Sequence, residues 1–135
     1  MLVIYRNRFF MMATKEDFKN GLLKLRDKGR FRNTQYLNIL KAQAKSKNFT
    51  ITATQIAEHV GYANYNAANL QYGKLGHELA EVLGYTPPKR SNGETMWFWT
   101  LSTGNEASKD AIDGHYEFVM RPELAAALKE MNWVR

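Results

Sequence analysis

Apolar side chains return at helical spacing in five stretches of this chain, and two further stretches are rich in aromatic and β-branched residues. In the first helical stretch Phe18, Leu22, Leu23 and Leu25 keep the period. Thr14 with Asp17 three residues on opens it as a cap and a first-turn carboxylate, and Gly29 closes it. The second carries Tyr36, Leu37, Ile39, Leu40 and Ala44 on one face and Lys41, Lys45 and Lys47 on the other. Asn48 to Ile51 is a short extended lead-in, and Thr52 with Gln55 then forms a capping box for a short third helix that Gly61 stops. Asn64 caps a longer fourth helix, and Pro122 opens a fifth whose stripe is Leu124, Ala127, Leu128 and Met131. The pattern predicts helices near 14–28, 33–47, 53–60, 65–83 and 122–131. "TMWFWTLS" (95–102) and "HYEFVM" (115–120) read as the two strands of a hairpin.

The third and fourth helices have a recognisable relation. Ala57, Gly61, Ala67 and Leu70 give the order small, glycine, apolar, apolar at helix-turn-helix spacing. Ala57 would let the helices approach, Gly61 would permit the turn, and Ala67 with Leu70 would hold the second helix on the first. With the hairpin behind it, this predicts a mainly α fold with a small β-hairpin: a winged helix-turn-helix with N- and C-terminal helical extensions, one domain over residues 13–135. Residues 1–12 are expected to be a tail or edge element. Arg6 and Arg8 interrupt their apolar run as a signal peptide would not, and translation from Met12 is an alternative start.

Composition narrows the classes. The chain has 135 residues and no cysteine, so disulfide frameworks and thiolate metal sites are excluded and a reducing cytoplasm is expected. No run approaches the roughly 18 apolar residues of a membrane span. The net charge is +6, unevenly spread: residues 1–50 hold 12 lysines and arginines against 3 acids, whereas residues 51–135 hold 7 against 10. A basic half of this kind suits a polyanionic partner, and equally suits a solvated surface.

Against that background residues 61–76 are nearly neutral, with Lys74 their one charge. Asparagine and glutamine pair with adenine through N6 and N7, and neutral amides enter a groove without attracting every phosphate. Asn64, Tyr65, Asn66, Asn69 and Gln71 near the start of the fourth helix are therefore the expected readers of double-stranded DNA. Lys24, Arg26, Lys28, Arg30 and Arg32 are the expected phosphate clamps, with Lys74 as one more. The bland alternative is that Asn64 only caps and Tyr65 is core. Trp97 and Trp99, on one face of a strand with Phe98 opposite, would either stack on unpaired bases or pack against the helices.

Catalysis is not expected. His59, His77 and His115 fit no metal-ligand spacing, no serine sits in a nucleophile elbow, and the glycines of "NLQYGKLG" fall inside a helical pattern. No catalytic residue, metal or cofactor is assigned. The run from "TATQIAEHVGYANYNAANLQYGKLGHELAEVLG" through "MWFWTLS" to "RPELAAALKEMNW" resembles an uncharacterised bacterial domain found alone or ahead of HNH-type nuclease and restriction modules. The likeness spans about residues 14–134 and implies a DNA-targeting or regulatory part without the cutter. The leading expectation is thus a non-catalytic, cytoplasmic DNA-binding protein, for example a transcription regulator of a prophage or mobile element. The competing one is a small phage or mobile-element protein that binds and inhibits a host protein complex, as anti-CRISPR inhibitors do. A homodimer is compatible with both.

Overall fold

Thr14 caps the first helix as expected: in the computed structural model, which describes residues 13–134, its hydroxyl accepts from the Asp17 amide while the Asp17 carboxylate accepts from its own. Helix α1 (Lys15–Asp27) follows and ends at Gly29, whose φ of +74° is open to glycine without strain. The expected tail or edge element of residues 1–12 lies outside the described residues. Helix α2 (Tyr36–Lys45) starts later than the apolar pattern suggests, because the chain makes a turn in which Asn33 adopts a left-handed φ of +57°.

The expected hairpin is part of a larger unit. Thr50–Thr52, read as a lead-in, is strand β1, and it pairs antiparallel with β3 (Glu117–Met120). Strand β2 (Ser102–Gly104) pairs along the other edge of β3, so the sheet runs β1-β3-β2. Helices α3 (Ala53–Val60), α4 (Tyr65–Leu83) and α5 (Pro122–Glu130) complete a mainly helical fold with a small three-stranded antiparallel sheet. One core joins them, built on Phe18, Leu22, Ile39, Ile56, Leu75 and Leu124.

Residues 97–100 depart from the expected strand. Trp97–Thr100 is a 3-10 turn lying across α4, and only Ser102 of the stretch 95–102 enters the sheet. Gly76 is the reason. A Cβ there would sit 2.2 Å from the Trp97 carbonyl oxygen, so only glycine allows the turn to rest on the helix. With about three residues per turn, Phe98 and Leu101 point inward together, and both are buried. Trp97 and Trp99 therefore do not share a strand face: Trp97 stacks on His77 at 3.7 Å, and Trp99 lies under the Arg121 guanidinium.

The phase of α4 also differs. Ala57 is buried against α4 as expected, and Gly61 takes a left-handed φ of +83° at the turn. Leu70, however, is 57% exposed, and Ala68, Tyr72 and Leu75 face inward instead. A closed polar ring holds that phase. The Tyr72 hydroxyl donates to Gln43 Oε1 (2.6 Å), Gln43 Nε2 donates to Ser102 Oγ (3.0 Å), and the Ser102 hydroxyl meets Tyr72. Gln43 Nε2 also lies 3.2 Å from the Phe118 carbonyl, so one buried amide ties α2, α4 and the sheet. Burial holds the Tyr72 hydroxyl well above the usual phenol range, against the lowering effect of its two hydrogen-bond partners.

Candidate nucleic-acid interface

The turn between α3 and α4 is assembled by local bonds. Thr52 and Gln55 form the expected capping box, at 3.1 and 3.0 Å. Asn64 Oδ1 accepts from the Ala67 amide at 3.1 Å, which commits this side chain to capping α4. Tyr65 is half-buried. Its hydroxyl lies 3.5 Å from Asp113, and a Cβ on Gly114 would be 2.7 Å from its ring. It buttresses the connection between β2 and β3, which also bonds to α3 through the Thr54 amide and Gly114 carbonyl (3.0 Å).

Beyond that first turn α4 presents an outer face. At 100° per residue Asn66, Leu70 and Lys74 fall within an arc of about 80°, and all three are exposed. None has a hydrogen-bond or ion-pair partner among the described residues. Asn69 lies about 60° to one side of Asn66, where it lines a cleft under the 3-10 turn. Gln71 lies on the opposite side, against a shallow groove with Asn33, Thr34, Gln35 and Tyr62. Asn66 and Asn69 thus lie about 60° apart on one side of the face, while Gln71 lies about 140° from Asn66, beyond Lys74.

The basic segment divides in the same way. Arg26 pairs with Asp27 at 3.1 Å on the surface of α1. Arg30 reaches α4 itself, 3.3 Å from Glu78, whose other oxygen takes the Tyr36 hydroxyl. Burial and that bond to a carboxylate push the Tyr36 phenol far up, so it stays a donor. Arg30 therefore pins the α1–α2 turn beside the Gln71 flank of α4. Lys24, Lys28 and Arg32 are exposed and form no ion pair among the described residues.

A second basic group escaped the sequence reading. Lys89, Arg90 and Lys109 flank α4 on its Asn69 side and are all exposed. Residues 89–95 fold into a small hairpin of their own, with Lys89 bridged to Thr95 and the Arg90 amide bonded to the Glu94 carbonyl (2.7 Å). The stretch "YTPPKRSNGE" (85–94) has the composition of a polar, Pro/Gly-rich loop. Its adjacent Lys-Arg pair was the available signal, but nothing local says that it folds back toward α4.

Between this hairpin, α4 and the 105–116 connection lies a cleft of about 710 Å³. Its floor is aromatic: Phe98 packs against Tyr116 and Phe118, and Phe118 stacks on Tyr72 at 4.7 Å. Burial and the nearby Glu106 charge raise the Tyr116 phenol, with Arg90 opposing them. Among the described residues no group of three or more His, Asp or Glu side chains converges as a metal site requires, and no helix is long and apolar enough to cross a membrane. No protein-family model matches this chain, and comparison with curated proteins and with solved structures finds no match.

Proposed function

We propose that the protein is a non-catalytic DNA-binding protein of the winged helix-turn-helix kind, regulatory or DNA-targeting, with α4 as its recognition helix. The element order α2, β1, α3, α4, β2, β3 with sheet order β1-β3-β2 supports that architecture. α1 and α5 are then the extensions and residues 105–116 the wing. The observation that carries the reading is the outer face of α4: Asn66, Leu70 and Lys74 stand unpartnered on a helix whose opposite side is buried. Amides at 66 and 69 suit adenine edges, Leu70 suits a thymine methyl, and Lys74 suits a phosphate. Exposed cations Lys28 and Arg32 belong to the turn that Arg30 ties to α4, and Arg90 and Lys109 line the cleft on the Asn69 side, which suits a phosphate backbone crossing α4.

Electrophoretic shift of random-sequence duplexes at two salt concentrations tests this. Binding should weaken steeply with salt, and removing Lys28 and Arg32 together should flatten the slope of log affinity against log salt by about one unit per lost contact. Absence of any shift at low salt refutes the reading. Leu70 is also the residue that a protein partner would bury. In that case no duplex binds, and Leu70→Lys abolishes capture of the partner.

A further inference from the structure

We infer that the cleft between α4 and the 3-10 turn is a nucleotide site, taking one nucleobase against its aromatic wall and the attached phosphate at Arg90 and Lys109 on its rim. The volume, about 710 Å³, falls in the range of small-ligand sites. The residues around it divide by chemistry as such a ligand requires.

The base side is built from Trp97 and Tyr116, both half-buried, with Phe98 buried beside Tyr116. Trp97 is held flat against His77 with 11° between the rings, and Phe98 is wedged edge-on to Tyr116 at 6.0 Å. These plates are fixed before any ligand arrives, so stacking would cost little side-chain ordering. Asn69 stands on the α4 wall with no side-chain hydrogen bond among the described residues, and its amide matches the mixed donor and acceptor edge of a base. The phosphate side is built from Arg90 and Lys109. Arg90 lies 5.9 Å over the Phe98 ring, and neither cation is in an ion pair among the described residues. The rim also carries the carboxylates of Glu94, which accepts from Asn92 at 3.3 Å, and Asp113, which faces the Tyr65 hydroxyl, so a phosphate would have to sit at Arg90 and Lys109, away from them.

Gly73 shapes the opening. It lies on α4 one turn beyond Asn69, and a Cβ there would meet nothing within 4 Å. The missing side chain leaves the cleft continuous with the outer face that carries Asn66 and Leu70. A nucleotide turned out of a duplex lying on that face would enter here. The inference rests on the DNA-binding reading for that source of the ligand. A free nucleotide has the same chemistry and would use the same contacts.

Two fluorescent probes separate the sources: a duplex with a single bulged 2-aminopurine nucleotide, and free 2-aminopurine deoxyribonucleoside monophosphate. Stacking on the aromatic wall should quench a bound probe, and the bulged duplex should bind about tenfold more tightly than the continuous one. Gly73→Leu should remove the quenching of both probes and the tenfold preference, while the thermal midpoint holds or rises slightly, since its Cβ position is open and leucine is the better helix former. Arg90→Ala, at an exposed site, should weaken the monophosphate several-fold and leave the corresponding nucleoside unaffected. Quenching of the free monophosphate without preference for the bulge supports the site and assigns it to free nucleotide. The inference is overturned if neither probe is quenched, or if both variants keep wild-type quenching and preference. Loss of all continuous-duplex binding in the unmodified protein refutes the DNA reading instead, and the monophosphate then decides the cleft by itself.

Discussion

Two glycines of α4, three residues apart, should respond to the same substitution with opposite sign. Both lie in the helix interior, where alanine is favoured over glycine by about 0.5–1 kcal/mol. At Gly73 the new methyl meets nothing within 4 Å, so Gly73→Ala should stabilise by close to that amount. At Gly76 it would lie 2.2 Å from the Trp97 carbonyl oxygen and 2.9 Å from the carbonyl carbon, both backbone atoms that no rotamer change can remove. Restoring ordinary contact moves the 3-10 turn off α4 by roughly 1 Å, an overpacking that costs about 1–3 kcal/mol. Phe98 and Leu101 are buried on that turn, so displacement also opens gaps beneath them, which favours the upper end of the range. Net of the helix gain, Gly76→Ala should destabilise by about 2 kcal/mol. The two variants should therefore differ by about 3 kcal/mol, a gap of about 1–2 M in urea midpoint. Circular dichroism during urea unfolding measures it. If both variants shift the midpoint upward, the turn does not rest on α4 through Gly76, and the cleft it lines is wrongly drawn.

Three further outcomes follow from other contacts. Tyr72→Phe keeps the ring but leaves Gln43 Oε1 without its donor inside the core, and should cost about 1–3 kcal/mol by urea unfolding; a loss below 0.5 kcal/mol would mean that the polar ring does not hold α4 in phase. Glu130 lies between Lys15 and Lys19, whose hydrogen bonds and charges hold its carboxyl down at about 2. Its folded value is depressed, so the stabilisation it gives the α1–α5 contact is complete above the ordinary value of 4.5 and lost as pH falls toward 2; unfolding midpoints of wild type and Glu130→Gln should differ at pH 7 and converge near pH 2. Alanine at Asn66 or Asn69 should cost about 1–3 kcal/mol on a preferred duplex and leave the salt slope nearly unchanged, whereas Gln71→Ala should be silent; equal losses at all three positions in a binding titration would contradict the placement of Gln71 on the other flank.

What the sequence determined by itself is everything settled within three or four residues. Thr14 with Asp17, Thr52 with Gln55 and Asn64 at the head of α4 mark helix starts because each cap bonds to an amide one turn away, and Pro122 marks the head of α5 because its fixed φ suits the first helical position and its missing N–H is not needed there. Gly29 and Gly61 mark ends because a left-handed residue is needed there whatever lies nearby. The tertiary structure decided what depends on distant partners. Thr50–Thr52 is a strand only because Glu117–Met120 lies alongside it, and nothing in three residues announces a partner more than sixty positions away. The aromatic run at 97–100 has the composition of a strand, yet the bare backbone of Gly76 draws it into a turn. The apolar period of α4 accommodates both Leu70 and Tyr72, and Gln43 and Ser102, far apart in the chain, choose Tyr72. Charge is legible as a count but not as a place: Arg30 of the basic segment is turned onto Glu78, while Arg90 is brought by a separate hairpin to the rim of the cleft. Capping bonds are satisfied within a turn of chain, whereas the phase of a helix and the position of a cation are chosen by the surface they meet.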